Sequence, residues 1–165
     1  IDEIDKMSGG GPGGDPTAAM LEVLDPSQNS TFVDHYLNLP FDLSSTLFIC
    51  TANNLFDIPG PLRDRMEVIR IAGYTIEEKV EIAQRYLIPR LLEDHGLKGD
   101  DLQLDERVLG FITSRYSREA GLRTFERCIA SLMRKRARAK ADGDNSAWVI
   151  DAARVQDILG APRFA

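Results

Sequence analysis

The sequence is short of cysteine, of histidine, of long apolar runs and of net positive charge, and each shortage removes a class of protein. Two cysteines, Cys50 in an apolar run and Cys128 in a helical pattern, make no disulfide scaffold. As two isolated thiols they fit a reducing compartment. The two histidines, His35 and His95, have no cysteine or histidine at ligand spacing, so no zinc site is expected on them. No stretch approaches the ~20 apolar residues of a spanning helix, and nothing reads as a signal peptide. With 20 Lys and Arg against 26 Asp and Glu the net charge is -6, which argues against a globally nucleic-acid-binding protein but leaves room for a local basic face. One absence is local. Residues 8–14 (SGGGPGG) are glycine-rich, yet no Lys-Ser or Lys-Thr follows them, so they lack the groups with which a phosphate-cradling loop reaches phosphate and Mg²⁺. An exposed, flexible loop is expected there.

What is present is an ordinary soluble profile, 43% apolar and 28% charged over 165 residues, enough for one domain or two small ones. Asp15 and Pro16 form a helix start, a capping Asp with Pro at the first helical position, followed by Met20, Leu21 and Leu24 as an apolar stripe. Residues 28–45 show no clear period. Residues 46–51 (TLFICT) form a continuous apolar run expected to be a strand buried on both faces of a parallel sheet, its polar end at 51–53 facing a ligand crevice. A short helix is expected at 62–65 and a second strand at 67–71. Gly73 marks the expected boundary between two domains.

From Thr75 the period becomes helical. Thr75 and Glu78 spell a capping box, and Ile76, Val80, Ala83 and Leu87 continue the stripe until Pro89, where the helix is expected to end or kink. Residues 90–95 predict a short helix stopped by Gly96. Residues 102–104 and 148–150 predict short strands. Asp105 and Asp151 are expected N-caps, and the longest helix follows Gly121 and ends in a basic cluster.

The opening residues, Ile1-Asp2-Glu3-Ile4-Asp5, carry the chemistry. An apolar residue followed by adjacent carboxylates suits the end of a buried strand that holds a hydrated Mg²⁺ with the Asp and orients water with the Glu. By themselves they fit an acidic surface turn better, because short acidic motifs recur by chance.

Taken in order, the pieces IDEIDKM, GDP.AAMLEVLDPSQN, DHYL, FICTANN, IPGPLRDRMEVI, GYT.EEK and REAGLR resemble the AAA+ module of Lon-type ATP-dependent proteases through essentially the whole chain. The implied fold is α/β followed by α: the C-terminal part of a truncated P-loop AAA+ large domain over 1–72, a mainly helical lid with two short strands over 73–160, and the start of a linker to a protease domain over 161–165. The resemblance implies that Asp2 holds Mg²⁺ through water, that Glu3 serves the hydrolytic water and that Asn53 is the sensor 1 amide. It makes Arg65 an arginine finger reaching a neighbouring subunit, and Arg123 the sensor 2 residue acting on its own subunit's nucleotide. ATP and Mg²⁺ are the implied cofactors. Implied partners are a homo-oligomeric ring, a hexamer by resemblance, and unfolded or misfolded protein substrates, with no membrane. The implied location is the bacterial cytoplasm or the mitochondrial matrix.

The resemblance also implies a fragment, because the family's Walker A loop, first pore loop and Ser-Lys protease domain are not in these residues. The piece alone is therefore expected not to hydrolyse ATP. The loop at 8–14 falls where the family has its second pore loop and carries no aromatic residue to grip a translocating chain. Five cations between Arg134 and Lys140 make Arg134, Arg136 and Arg138 candidate DNA contacts; the alternative is favourable charge at a helix C-terminus. Other readings of the whole are a ring-forming AAA+ motor acting on DNA, and a non-catalytic nucleotide-gated DNA or protein interaction module.

Overall fold

In a computed structural model, which describes residues 1–7, 15–34 and 36–164, the chain divides into two compact units, Ile1–Arg70 and Ile71–Ala165. The expected loop at 8–14 lies outside the described residues.

The first unit is lightly built. Helix α1 (Pro16–Leu24) begins as expected, with the Asp15 carboxylate accepting the Thr17 N–H at 2.9 Å and Pro16 in the first turn. It packs with the one-turn helix α2 (Gly60–Arg63) through Met20 and Leu62, and Ile4 and Ile58 complete a small core. α2 starts ahead of the expected 62–65 because Pro61 is preset for a first helical turn. The stretch without clear period contains a hairpin, β1 (Phe32–Asp34) antiparallel to β2 (Leu39–Phe41). Its turn is organised by the Asp34 carboxylate, which accepts the N–H groups of Tyr36 and Leu37, and by Asn38 at φ 52°.

Neither long strand expected in this unit forms a ladder. Residues 46–51 run alongside residues 1–3 for a few bonds only, and Leu47 and Ile49 are 83% and 70% exposed rather than buried on two faces. Residues 67–71 are irregular, with Ile69 and Ile71 79% and 91% exposed. An apolar period states what a strand needs to bury; the ladder also needs a strand alongside with free N–H and C=O groups. Among the described residues 67–71 have none.

The second unit carries the main core. Thr75 and Glu78 exchange both bonds of the capping box at the start of α3 (Ile76–Ile82). The helix does not stop at Pro89. It passes through a wider π turn (Ala83–Leu87) into α4 (Ile88–Asp94), and i to i+5 bonding lets the ladder step past the donor that proline lacks. Gly96, at φ 65°, ends it. The expected strands form a short parallel pair, β3 (Leu102–Gln103) beside β4 (Trp148–Val149). Helices α5 (Glu106–Tyr116), α6 (Arg123–Ala141) and α7 (Ala152–Leu159) are packed through Leu109, Ile112, Phe125, Ile129, Leu132 and Val155. Asp105 and Asp151 cap α5 and α7 as expected. Gly73 has a packing role: a Cβ there would sit 2.9 Å from the Ala120 Cβ, beside the bond from the Tyr74 N–H to the Ala120 carbonyl.

Arg136 corrects the expectation for the basic helix end. Its side chain is 0% exposed, and Nε, Nη1 and Nη2 donate to the carbonyls of Asp101, Asp144 and Ser146 at 2.9, 2.9 and 2.8 Å. A guanidinium spent on three carbonyls inside the unit has nothing to offer a DNA phosphate. Lys140 is also turned inward: its ammonium meets the Asp101 carboxylate at 2.7 Å and, with the Lys98 N–H, holds that carboxyl below the usual range. Arg134 and Arg138 remain exposed, Arg134 donating to the Ser131 hydroxyl and Arg138 3.8 Å from Asp142.

Candidate active site

The acidic opening and the TLFICTANN run meet in the first unit. The Ile1 nitrogen donates to the Ile49 carbonyl at 2.8 Å and the Thr51 N–H to the Ile1 carbonyl at 2.9 Å, a parallel pairing in register Ile1 to Cys50. At Glu3 the pattern breaks. Glu3 lies at φ 52°, ψ 49°, in the left-handed region that a side chain occupies at some energetic cost. Its N–H therefore meets the Thr51 hydroxyl at 3.0 Å instead of a backbone carbonyl, and the Thr51 carbonyl bonds the Ile4 N–H at 2.9 Å. The chain then tightens into a 3-10 turn (Ile4–Lys6) anchored by the buried Ile4 side chain.

This break aims two adjacent carboxylates into solvent. The Thr51 hydroxyl, accepting from the Glu3 N–H, donates to Asp2 Oδ1 in a short bond, which fixes the Asp2 carboxylate by one oxygen. Glu3 Oε1 accepts from Asn53 Nδ2 at 3.4 Å, and Glu3 Oε2 pairs with Lys6 Nζ at 2.6 Å. The bond from Glu3 raises the Lys6 pKa above its ordinary value. Asp2, Glu3 and Asn53 are thus brought together. Thr51 was expected to face a ligand crevice but was given no role, and Lys6 and Asp5 were missed by sequence reasoning. The only signals for them were the polar residue closing the apolar run and the third carboxylate two positions after Glu3.

Hard oxygen donors and open solvent fit a hydrated Mg²⁺ at Asp2, since that ion takes one or two protein carboxylates and keeps waters or substrate phosphates. Among the described residues no group of three or more His, Cys, Asp or Glu converges as a self-sufficient metal site.

The other two predicted residues lie elsewhere. Arg65, just past α2, donates from Nη1 to the Pro61 carbonyl at 3.0 Å and from Nη2 to Asp25 Oδ2 at 3.4 Å, with its side chain 38% exposed. Asp25 is held mainly by the hydroxyl and N–H of Ser27, with Arg65 a smaller influence, and its pKa falls to about 2. Arg123 is exposed at the first position of α6, in the second unit. The cap of that helix was missed. Glu119 accepts the N–H groups of Thr124 and Phe125 and the Ser117 hydroxyl. Burial pushes its carboxyl up, and these donors together outweigh burial and bring it below the usual range.

Residues 1–74 match the model of the ATPase family associated with various cellular activities (AAA), and residues 93–148 match that of the Lon protease AAA+ ATPase lid domain. The chain is 53% identical over 164 residues to the Lon protease of Desulfovibrio desulfuricans, a match covering 99% of this chain and 18% of that protein. It is 52% identical, again over 99% of its length and 20% of theirs, to the Lon protease of Geobacter metallireducens and to Lon protease 2 of Myxococcus xanthus. The chain thus spans about a fifth of the length of these relatives. No helix among the described residues is long and apolar enough to cross a membrane.

Proposed function

The chain belongs to the AAA+ ATPase module of the Lon protease family, and from that premise we propose that it forms the hydrolytic and lid portions of a motor that couples ATP hydrolysis to unfolding and degradation of proteins. The observation carrying this reading is the contact between the Glu3 carboxylate and the Asn53 amide beside an Asp2 carboxylate that Thr51 holds by one oxygen. Asp2 would hold the hydrated Mg²⁺ that accompanies ATP, and the ion supplies charge neutralisation at the phosphates. Glu3 takes the proton of the attacking water. Asn53 orients that water, or the terminal phosphate, relative to Glu3. Arg65 is the proposed arginine finger, acting on the nucleotide of a neighbouring subunit in a homo-oligomeric ring, and Arg123 the proposed sensor 2 residue. Proteolysis would reside in the longer protein, in the Ser-Lys protease domain that the family resemblance implies, in the bacterial cytoplasm or the mitochondrial matrix. The DNA contact expected at Arg134, Arg136 and Arg138 loses one of its three residues with Arg136 buried.

In the longer protein, Glu3→Gln should retain ATP affinity and lower turnover by about 10²- to 10⁴-fold, the range for removing a positioned general base. ATP turnover at the parental rate in that variant overturns the reading.

A further inference from the structure

Asp5 has no assigned role, and it is buried, 9% exposed, with no cation bonded to its carboxylate among the described residues. A single oxygen, Oδ2, accepts two successive backbone N–H groups, those of Asn53 at 3.1 Å and Asn54 at 3.2 Å. Oδ1 is buried without a hydrogen-bond partner among the described residues. Burying a carboxylate is costly unless it is well bonded, so the arrangement must be supported by the elements on either side. It is. The left-handed backbone at Glu3 and the turn over Ile4–Lys6 swing Asp5 under the loop that follows Thr51. On the other side, Asn54 is held by bonds with Phe56 and Asp57.

These bonds close a ring. From Glu3 the backbone leads through Ile4 to Asp5; Asp5 Oδ2 holds the Asn53 N–H; and the Asn53 side chain returns to Glu3 Oε1. Regular strand pairing has already broken at Glu3, and beyond the Ile4 N–H bond to the Thr51 carbonyl it is Asp5 that ties the Asn53 backbone to the segment carrying the Glu3 carboxylate. We propose that Asp5 is a positioning residue for hydrolysis: by clamping the Asn53 and Asn54 N–H groups it fixes the amide that faces the catalytic carboxylate. This rests on the hydrolase reading above. Asp5 acts through the backbone N–H groups of Asn53 and Asn54 rather than on the reacting atoms. Its loss should appear in kcat and leave KM for ATP near the parental value.

The test has two arms. In the 165-residue chain, Asp5→Ala should speed amide hydrogen exchange at Asn53 and Asn54 while leaving Leu62, in the core of the same unit, unchanged; unaltered exchange at 53 and 54 overturns the proposal without reference to any activity. In the longer ATP-hydrolysing protein, Asp5→Ala should lower kcat by about 10²-fold, the scale of a displaced catalytic group. Asp5→Asn keeps an acceptor oxygen without the charge. Neutral bonds have about half the strength of charge-assisted ones, so its kcat should fall only about tenfold, and it decides the matter if the alanine variant does not fold. In an Asn53→Ala background, Asp5→Ala should add almost nothing, because both act through one amide. A raised KM with unchanged kcat, or full additivity with Asn53→Ala, overturns the positioning role. A parent protein that hydrolyses no ATP would instead refute the hydrolase reading, and the exchange arm would still decide the clamp.

Discussion

Replacing Arg136 by methionine separates a structural from a binding role for the basic end of α6. Methionine keeps much of the side-chain volume and removes every donor. Three carbonyls, of Asp101, Asp144 and Ser146, then lose partners at 2.8 to 2.9 Å, and the stacking of the guanidinium 5.5 Å from the Trp148 ring disappears. Asp101 keeps Lys140, so the substitution does not strand a buried carboxylate. Truncating one partner of a buried charged network typically costs about 3 to 5 kcal/mol, against about 5 to 15 kcal/mol for a whole domain. The loss should therefore be a large part of the second unit's stability. Arg136→Lys should recover less than half of it, since one ammonium cannot span three carbonyls arranged around a planar fork. Urea denaturation followed by Trp148 fluorescence reads the right unit, because Trp148 is the sole tryptophan. Arg134→Gln, at an exposed position, serves as the control and should stay within about 0.5 kcal/mol of the parent. An Arg136→Met variant equally close to the parent, with an unchanged urea slope, would refute this account of the side chain.

Glu119→Ala should remove the cap of α6 and destabilise the second unit by about 1 to 2 kcal/mol, measurable in the same urea titration. Because the folded Glu119 pKa lies below its ordinary value, its stabilisation is complete above the unfolded-state pKa and is lost as pH falls through the folded one; Glu119→Gln should flatten that part of the acid limb, and an unchanged limb would refute the cap. Gly73→Ala forces a Cβ to within 2.9 Å of Ala120, so overpacking of about 1 to 3 kcal/mol should lower the thermal midpoint of the second unit, and an unchanged midpoint would show that the approach relaxes freely.

What was legible in the sequence was local. Thr75 with Glu78, Asp15 with Pro16, Asp105 and Asp151 all cap the helices that they announced, because a cap is a bond between residues two or three positions apart. The adjacent Asp2 and Glu3 were visible as a candidate pair because they are covalent neighbours, whereas the role of Asn53 came only from the family resemblance. Ladders were not legible: residues 46–51 and 67–71 have strand composition and no full complement of neighbours. Proline in the α3 to α4 helix read as an end or a kink, since a short window contains the missing donor but not the π turn that steps around it.

By itself, the sequence determined the caps, the apolar stripes of the lid helices and the residue types able to hold Mg²⁺ and activate water, all of which depend on covalent neighbours within about one helical turn. Only the tertiary structure decided which polar side chains are components of the interior. Arg136 reads as one more surface cation in its run, and becomes a buried clamp only because Asp101, Asp144 and Ser146 converge on it from other segments. Asp5 reads as one more acid, and becomes a clamp because the left-handed turn at Glu3 carries it under residues 48 and 49 positions further along the chain. The physical reason is the same for both: a charged group's role is set by the donors and acceptors that share its low-dielectric surroundings, and those come from segments that only folding brings together.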